Sequence, residues 1–204
     1  MYKIAVLVSG GGSNFLAVAK AIKSGYIKNA AISCVISDNP NAKALDKASQ
    51  FEIDSHIVDK KVYKKELSDK ILEILDSMGG VDLIVLGGFL SILGGEILEK
   101  YKNKIINIHP SLIPSFCGDG MYGLKVHKAA IDYGVKVTGC TVHFVDSGTD
   151  TGAILLQQSV DVTTDDPLKL QSDVLLEEHK TIVKAVKLLS ENRVKVDGRK
   201  VCII

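Results

Sequence analysis

Short apolar runs separated by longer helical patterns constrain this chain more than any other feature. Residues 3–8, 31–36, 81–86 and 104–108 are largely apolar and often β-branched, without polar alternation. That is the pattern of strands buried on both faces. Helical patterns stand between them. Residues 14–24 form one, and Ala44, Ala48 and Phe51 repeat at helical spacing. Leu67, Ile71, Leu75 and Met78 fall on one helix face, and residues 94–101 suit a further helix. Residues 55–58 suit a short extra strand, and Ser37-Asp38-Asn39-Pro40 is a turn cluster. The alternation predicts an α/β fold, Rossmann-like, with a mostly parallel central sheet and helices on both faces. Such sheets take ligands beyond the carboxyl ends of their strands. Chemistry is therefore expected in the loops after residues 8, 38, 86 and 108.

The second half has a different grain. Residues 109–122, rich in Pro, Ser and Gly, read as a long loop, and long loops in compact domains tend to be functional. A helix is expected over 123–133, then strands over 137–145 and 153–162. Asp166-Pro167 opens a long helix, with a capping Asp and Pro at the first helical position. Its apolar stripe is read as Leu168, Leu175, His179, Ile182, Val186 and Leu189. Residues 193–196 and 200–203 flank Asp197-Gly198, a hairpin signal. The length of 204 residues suits one domain, with halves of 1–100 and 101–204.

Composition excludes several classes. A net charge of +1, from 25 basic and 24 acidic residues, argues against a nucleic-acid or membrane surface. The densest basic stretch, Lys60, Lys61, Lys64 and Lys65, reads as the solvated face of a helix. Met1–Val8 is too short for a signal-peptide core, and no apolar run approaches a membrane span. Cys34, Cys117, Cys140 and Cys202 fit no zinc spacing, and each reads as a small apolar filler with a reduced thiol. The expectation is a cytoplasmic protein. With no paired His/Asp/Glu ligand spacing, no catalytic metal is expected.

Ser9-Gly10-Gly11-Gly12-Ser13-Asn14 follows the first strand and opens the first helix. Glycines let a backbone approach an anion, and a helix start offers free N–H groups and a positive dipole end. Three glycines exceed what a tight turn needs, so a phosphate site is favoured over a plain turn. A dinucleotide fingerprint would need a third glycine where Phe15 stands. Asp38 could imitate the ribose-binding acid, which keeps a nicotinamide-dependent oxidoreductase open as an alternative. The loop is also similar to the Ser-Gly-Gly start of ATP-pyrophosphatase domains, but those need an Asp where Ser13 and Asn14 stand.

Asn107 and His109 lie two apart at a strand end and so point the same way. Pro110 ends the strand. An amide donor beside an imidazole suits stabilising an oxyanion. Equally, it suits a hydrogen-bonded pair bracing the next loop, and spacing alone leaves the two readings even.

The run Asn107-Ile-His109-Pro-Ser-Leu-Ile-Pro114 resembles the signature of the folate-dependent formyltransferases. Gly139-Cys-Thr-Val-His-Phe-Val145, followed by Asp150-Thr151-Gly152, matches the same family in order and spacing. The resemblance runs from Lys3 to about Val201, essentially the whole chain. The N-terminal glycine loop points to the branch acting on glycinamide ribonucleotide. The extra C-terminal domain of the methionyl-tRNA branch and the N-terminal regulatory domain of the deformylases do not stand in this sequence.

The resemblance implies formyl transfer from 10-formyltetrahydrofolate, as co-substrate, to the amine of glycinamide ribonucleotide in purine biosynthesis. A formyltransferase acting on another phosphorylated amine is the near alternative. It implies Asn107, His109 and Asp150 as catalytic residues, with His109 held protonated by Asp150. Gly12, Ser13 and Asn14 would hold the ribonucleotide phosphate, and Glu178 would contact the ribonucleotide. Leu90, Ser91, Ile92 and Leu93 would line the pterin pocket, with Asp146, Ser147, Gly148, Thr149 and Asp150 around the same ring and Lys60 near the folate. His143 would support the site. Two positions depart from the pattern: Ser91 and Asp173 stand where Arg is usual. The expected partners are small molecules, with no nucleic acid and no membrane, for a monomer or weak homodimer.

Overall fold

A computed structural model describes residues 1–204, which divide into two compact units, Met1–Ile106 and Asn107–Ile204. The first unit opens with β1 (Tyr2–Val8), α1 (Ser13–Lys23), β2 (Ala30–Ser37) and α2 (Lys43–Gln50). There follow β3 (Ser55–Ile57), α3 (Lys60–Tyr63), α4 (Leu67–Ser77), β4 (Leu83–Leu86) and α5 (Glu96–Lys100). The first residues of β5 (Ile105–His109) close the unit. Strand order here is β3-β2-β1-β4-β5. β1 pairs in parallel with β2 and β4, and β2 with β3. Ile4, Ala5, Val6, Leu7 and Val8 are wholly buried, as a strand covered on both faces must be. Val6 lies in register with Val35 and Val85, so β-branched side chains stack across the middle of the sheet. The helices bury the stripes that their spacing predicts, Phe15, Val18 and Ala19 on α1 and Leu67, Ile71 and Leu75 on α4.

The first unit departs from expectation at two places. β4 starts two residues late, and the Asp82 carboxylate, ahead of it, accepts the Lys3 N–H at 2.7 Å. The basic cluster forms only the single turn α3 and a 3₁₀ turn over Lys64–Glu66, because Lys64 takes a left-handed φ of 46°.

The second unit carries the end of β5, α6 (Leu124–Tyr133), β6 (Val137–Phe144), β7 (Ile154–Asp161) and α7 (Pro167–Ser190). A separate hairpin of β8 (Val194–Asp197) and β9 (Lys200–Ile203) follows. The strand order runs β5-β6-β7, and β7 is antiparallel to β6. The pairing slips by a residue between Val142 and His143, a bulge of the kind that re-aims a side chain beside a site. Strand β5, shared by both units, completes a mostly parallel sheet of seven strands. Asp166 caps α7, its carboxylate accepting the Leu168 N–H at 2.9 Å, with Pro167 at the first helical position. The hairpin loop is Gly198-Arg199 rather than Asp197-Gly198, since Asp197 pairs with Lys200.

The stripe expected on α7 holds at Ile182 and Val186 but not at its start. Leu168 is exposed, and the buried face is Leu170, Val174, Glu178, Thr181, Ile182, Ala185 and Val186. Reading hydropathy alone discounts Glu178 and Thr181, and without them the leucines set the wrong phase.

Candidate active site

The glycine-rich loop belongs to the first unit. Gly12 sits at the N-cap of α1 with φ 65°, a left-handed conformation that glycine takes without penalty. A Cβ there would also stand 2.5 Å from the Ala44 Cβ, so α2 packs directly against the turn. The loop's carbonyls are turned into the protein. Asn39 Nδ2 donates to Ser9 O at 3.1 Å, Ala44 N to Gly10 O at 3.1 Å, and Lys47 Nζ to Gly11 O at 2.6 Å. Gly12 supplies no side-chain cap to α1, whose N-terminus carries the positive end of the helix dipole. Gly10 and Gly11 have open space where a Cβ would be. This arrangement can receive a phosphate. Lys47, half-buried and adding a positive charge at the loop, escaped the reading of the sequence because its 36-residue separation from Gly11 is bridged only by the fold.

Asp38, Lys60 and Ser91 meet in the same unit. The Asp38 side chain is wholly buried; Lys60 Nζ reaches its Oδ2 at 3.3 Å, and the Ser91 hydroxyl donates to it at 2.5 Å. Lys60 is therefore tied down, whereas Lys61, Lys64 and Lys65 lie in solvent as expected. A carboxylate so enclosed does not face a ribose. Ser91, standing where Arg is usual, hands its contact to this acid. The Leu90 N–H donates to Ser9 Oγ at 2.8 Å, linking the loop after β4 to the glycine loop. Leu90 and Ile92 are exposed and Leu93 is buried.

The second unit gathers Asn107, His109, His143 and Asp150. His143 Nδ1 lies 2.8 Å from the Phe144 carbonyl and donates to it. Its Nε2 lies 3.2 Å from Asn107 Nδ2 and 3.5 Å from Asp150 Oδ1. His109 Nε2 donates to the Phe116 carbonyl at 2.9 Å, and its Nδ1 stands 3.4 Å from Asp150 Oδ2. The Gly118 N–H donates to the same Asp150 oxygen at 3.0 Å. Asp150 itself is left-handed, φ 57°, as is Phe116 at φ 50°. Ile113-Pro114 is cis.

Charge in this cluster is set by competition. For Asp150, burial raises the pKa, but His143, the Gly118 N–H and His109 outweigh it and hold the carboxyl below its usual range. For His109, burial is the largest influence and lowers the pKa, against the Phe116 carbonyl and Asp150, which raise it. Burial thus opposes the expected hold of Asp150 on a protonated ring, and His109 sits below the ordinary imidazole pKa. Its Nδ1 lone pair faces an anion and is ready to take a proton. Buried His127 is pushed down to about 4, mainly by desolvation and then by His109.

Around the cluster, Asp146 turns its carboxylate onto its own loop, accepting Gly148 N–H at 3.1 Å and the Thr151 hydroxyl at 2.5 Å. Thr149 Oγ1 donates to Asp119 at 3.1 Å. Arg199 Nη1, from the hairpin, donates to the Thr151 carbonyl at 2.8 Å. Glu178 is buried on α7. Asp173 pairs with Lys169 at 2.5 Å. All four cysteines are free; Cys34 and Cys140 are the buried fillers expected, Cys117 is half-buried and Cys202 is exposed. No group of three His, Cys, Asp or Glu side chains is placed to hold a metal ion. No helix is long and apolar enough to cross a membrane.

An amide, two imidazoles and a carboxylate gathered at the end of a parallel sheet suit acyl transfer to an amine. Residues 2–186 match the formyl transferase family, and the chain belongs to it. Over 192 residues it is 38% identical to the phosphoribosylglycinamide formyltransferase of Bacillus subtilis, covering 93% of this chain and 95% of that protein. It is 36% identical to the human trifunctional purine biosynthetic protein adenosine-3 over 98% of this chain, and spans 20% of that relative's length. The crystal structure of glycinamide ribonucleotide transformylase 1 from Symbiobacterium toebii matches with a TM-score of 0.93 at 37% identity, covering 100% of this chain and 94% of that one.

Proposed function

We propose that the protein transfers the formyl group of 10-formyltetrahydrofolate to the amine of glycinamide ribonucleotide, giving N-formylglycinamide ribonucleotide and tetrahydrofolate. The observation that carries this reading is the buried His109 with its Nδ1 3.4 Å from Asp150 Oδ2, on the same strand as the Asn107 amide. The amine nitrogen attacks the formyl carbon, and the C–N bond forms as the carbonyl oxygen gains charge. Asn107 donates to that oxygen. The amine's proton passes to the His109–Asp150 pair; His109, now charged and stabilised by Asp150, also steadies the oxyanion. The proton then goes to the folate nitrogen as its bond to carbon breaks. A resting neutral base suits this sequence better than a resting cation, because it has room for the proton.

Gly12, Ser13 and Asn14 hold the ribonucleotide phosphate at the start of α1, and Glu178 contacts the ribonucleotide. Lys60, Leu90, Ser91, Ile92, Leu93 and residues 146–150 bind the folate. The first half thus serves mainly phosphate binding and the second folate and catalysis, within one formyltransferase domain. No metal takes part, and the protein works in the cytoplasm as a monomer or weak homodimer. Phosphate binding remote from the reacting atoms supplies orientation. Hydride transfer is disfavoured because Asp38, the one candidate for a dinucleotide ribose, is enclosed by Lys60 and Ser91.

Turnover of 10-formyltetrahydrofolate with glycinamide ribonucleotide, followed by absorbance, tests the reading. Formation of tetrahydrofolate dependent on both substrates is expected. Binding of both without turnover would move the acceptor to another phosphorylated amine, and nicotinamide binding without folate binding would overturn the reading altogether.

A further inference from the structure

We propose that Tyr133, an exposed residue at the C-terminal end of α6, is a positioning residue for His109 that acts through Phe116. The inference rests on the functional reading above only for its effect on rate.

Phe116 holds His109 by its backbone, since its carbonyl accepts the His109 Nε2–H at 2.9 Å. It does so from φ 50°, a region that bulky L-residues avoid. Something outside the backbone must keep Phe116 there. Its neighbours contribute a compact turn: Ser115 N–H donates to Leu112 O at 3.0 Å and the Ser111 hydroxyl to Ser115 O at 2.5 Å, while Cys117 Sγ reaches Pro114 O at 3.3 Å. On the far side the Gly118 N–H donates to Asp150 Oδ2 at 3.0 Å. The Phe116 ring adds a hold of its own, meeting the Tyr133 ring edge to face with centroids 5.9 Å apart. Tyr133 has 80% of its surface exposed, far more than a tyrosine serving only the core. Gly134, left-handed at φ 80°, ends α6 directly after it. The chain of contact is therefore Tyr133 ring, Phe116 ring, Phe116 carbonyl, His109 Nε2. It determines which ring nitrogen carries the resting proton and aims Nδ1 at Asp150.

The test compares Tyr133→Ala with Tyr133→Phe, which keeps the ring. The readout is the pKa of the His109 imidazole, followed by NMR in the substrate-free protein and assigned with His109→Asn. The groups acting on that ring are the Phe116 carbonyl and Asp150, which raise its pKa, and His143, which lowers it; it in turn acts on His127. Loosening the carbonyl in Tyr133→Ala should lower the His109 pKa and cut kcat about two- to tenfold, with KM unchanged, while Tyr133→Phe matches the wild type in both. An unaltered His109 pKa in Tyr133→Ala, or an equal fall in Tyr133→Phe, would overturn the inference. The NMR titration needs no turnover, so it stands or falls independently of the identity of the acceptor.

Discussion

The glycine loop and the His109–Asp150 cluster solve opposite problems with opposite materials. The loop offers backbone N–H groups at a helix start, with its carbonyls tied back by Asn39, Ala44 and Lys47. Its fixed dipoles do not depend on pH. The cluster is built from buried side chains whose charges are set by one another, and two of its bonds, from Phe116 O and Gly118 N, come from a loop rather than from a strand or helix. A site that must only hold an anion can be made of peptide groups. A site that must pass a proton needs groups that can gain and lose one.

The sharpest way to break this contrast is Asp150→Asn. It keeps the shape and an acceptor for Gly118 but removes the charge that stabilises a protonated His109. The expected loss is about 10²–10⁴ in kcat, measured by steady-state turnover, with little change in the KM for the ribonucleotide. Gly12→Ala attacks the other region. A Cβ at φ 65° against Ala44 displaces the turn, and losing a charge-assisted phosphate contact should raise that KM by about 10- to 100-fold with a much smaller change in kcat. If Gly12→Ala lowered kcat as strongly as Asp150→Asn does, the two regions would not be separable.

Acid should unfold the protein through the buried histidines. His127 falls from 6.5 to about 4 on folding, and His109 is also lowered. Below the unfolded value the unfolded chain binds more protons. Their contribution is therefore complete above about pH 6.5 and lost as pH falls toward 4, followed by that of Asp150 at still lower pH. For His127 this is on the order of 2–3 kcal/mol. Urea denaturation at a series of pH values should show the slope, flattened in His127→Asn; the glycine loop contributes nothing to it. The smallest effect expected is that of Lys60→Met. It leaves buried Asp38 with Ser91 alone, but half-exposed Lys60 is screened by solvent, so about 1 kcal/mol is lost, read as a lower denaturation midpoint.

The same contrast decided what could be read in the sequence. The glycine loop is local: apolar strand, three glycines and helix stand in one stretch, and β1 and α1 lie within a residue or so of the expected bounds. The Asp166 cap was equally plain, since an Asp-Pro pair announces a helix start by itself. Asn107 and His109 were visible as a pair through their two-residue spacing. What they bond to was not. His143 reaches Asn107 across 36 residues, through a bulge in β6 that no local pattern marks. Asp150 entered through family resemblance alone. The lowering of the His109 pKa by burial is not legible because an ion-pair partner is easy to name in a sequence, whereas burial has no letter. On α7 the buried face includes Glu178 and Thr181, polar residues that a hydropathy stripe passes over.

The left-handed backbone at Asp150 has a consequence for which acids the site can employ. At φ 57° a β-branched or long side chain is disfavoured, and Asp and Asn are the side-chain-bearing residues that enter this region most readily. Glutamate has the same charge, but it would bring a longer arm into a conformation it resists, beside the Gly118 N–H that a shorter arm already reaches. The position therefore favours Asp and Asn on conformational grounds, and of these two only Asp carries a negative charge. The backbone leans toward the shorter acid before any chemistry is considered.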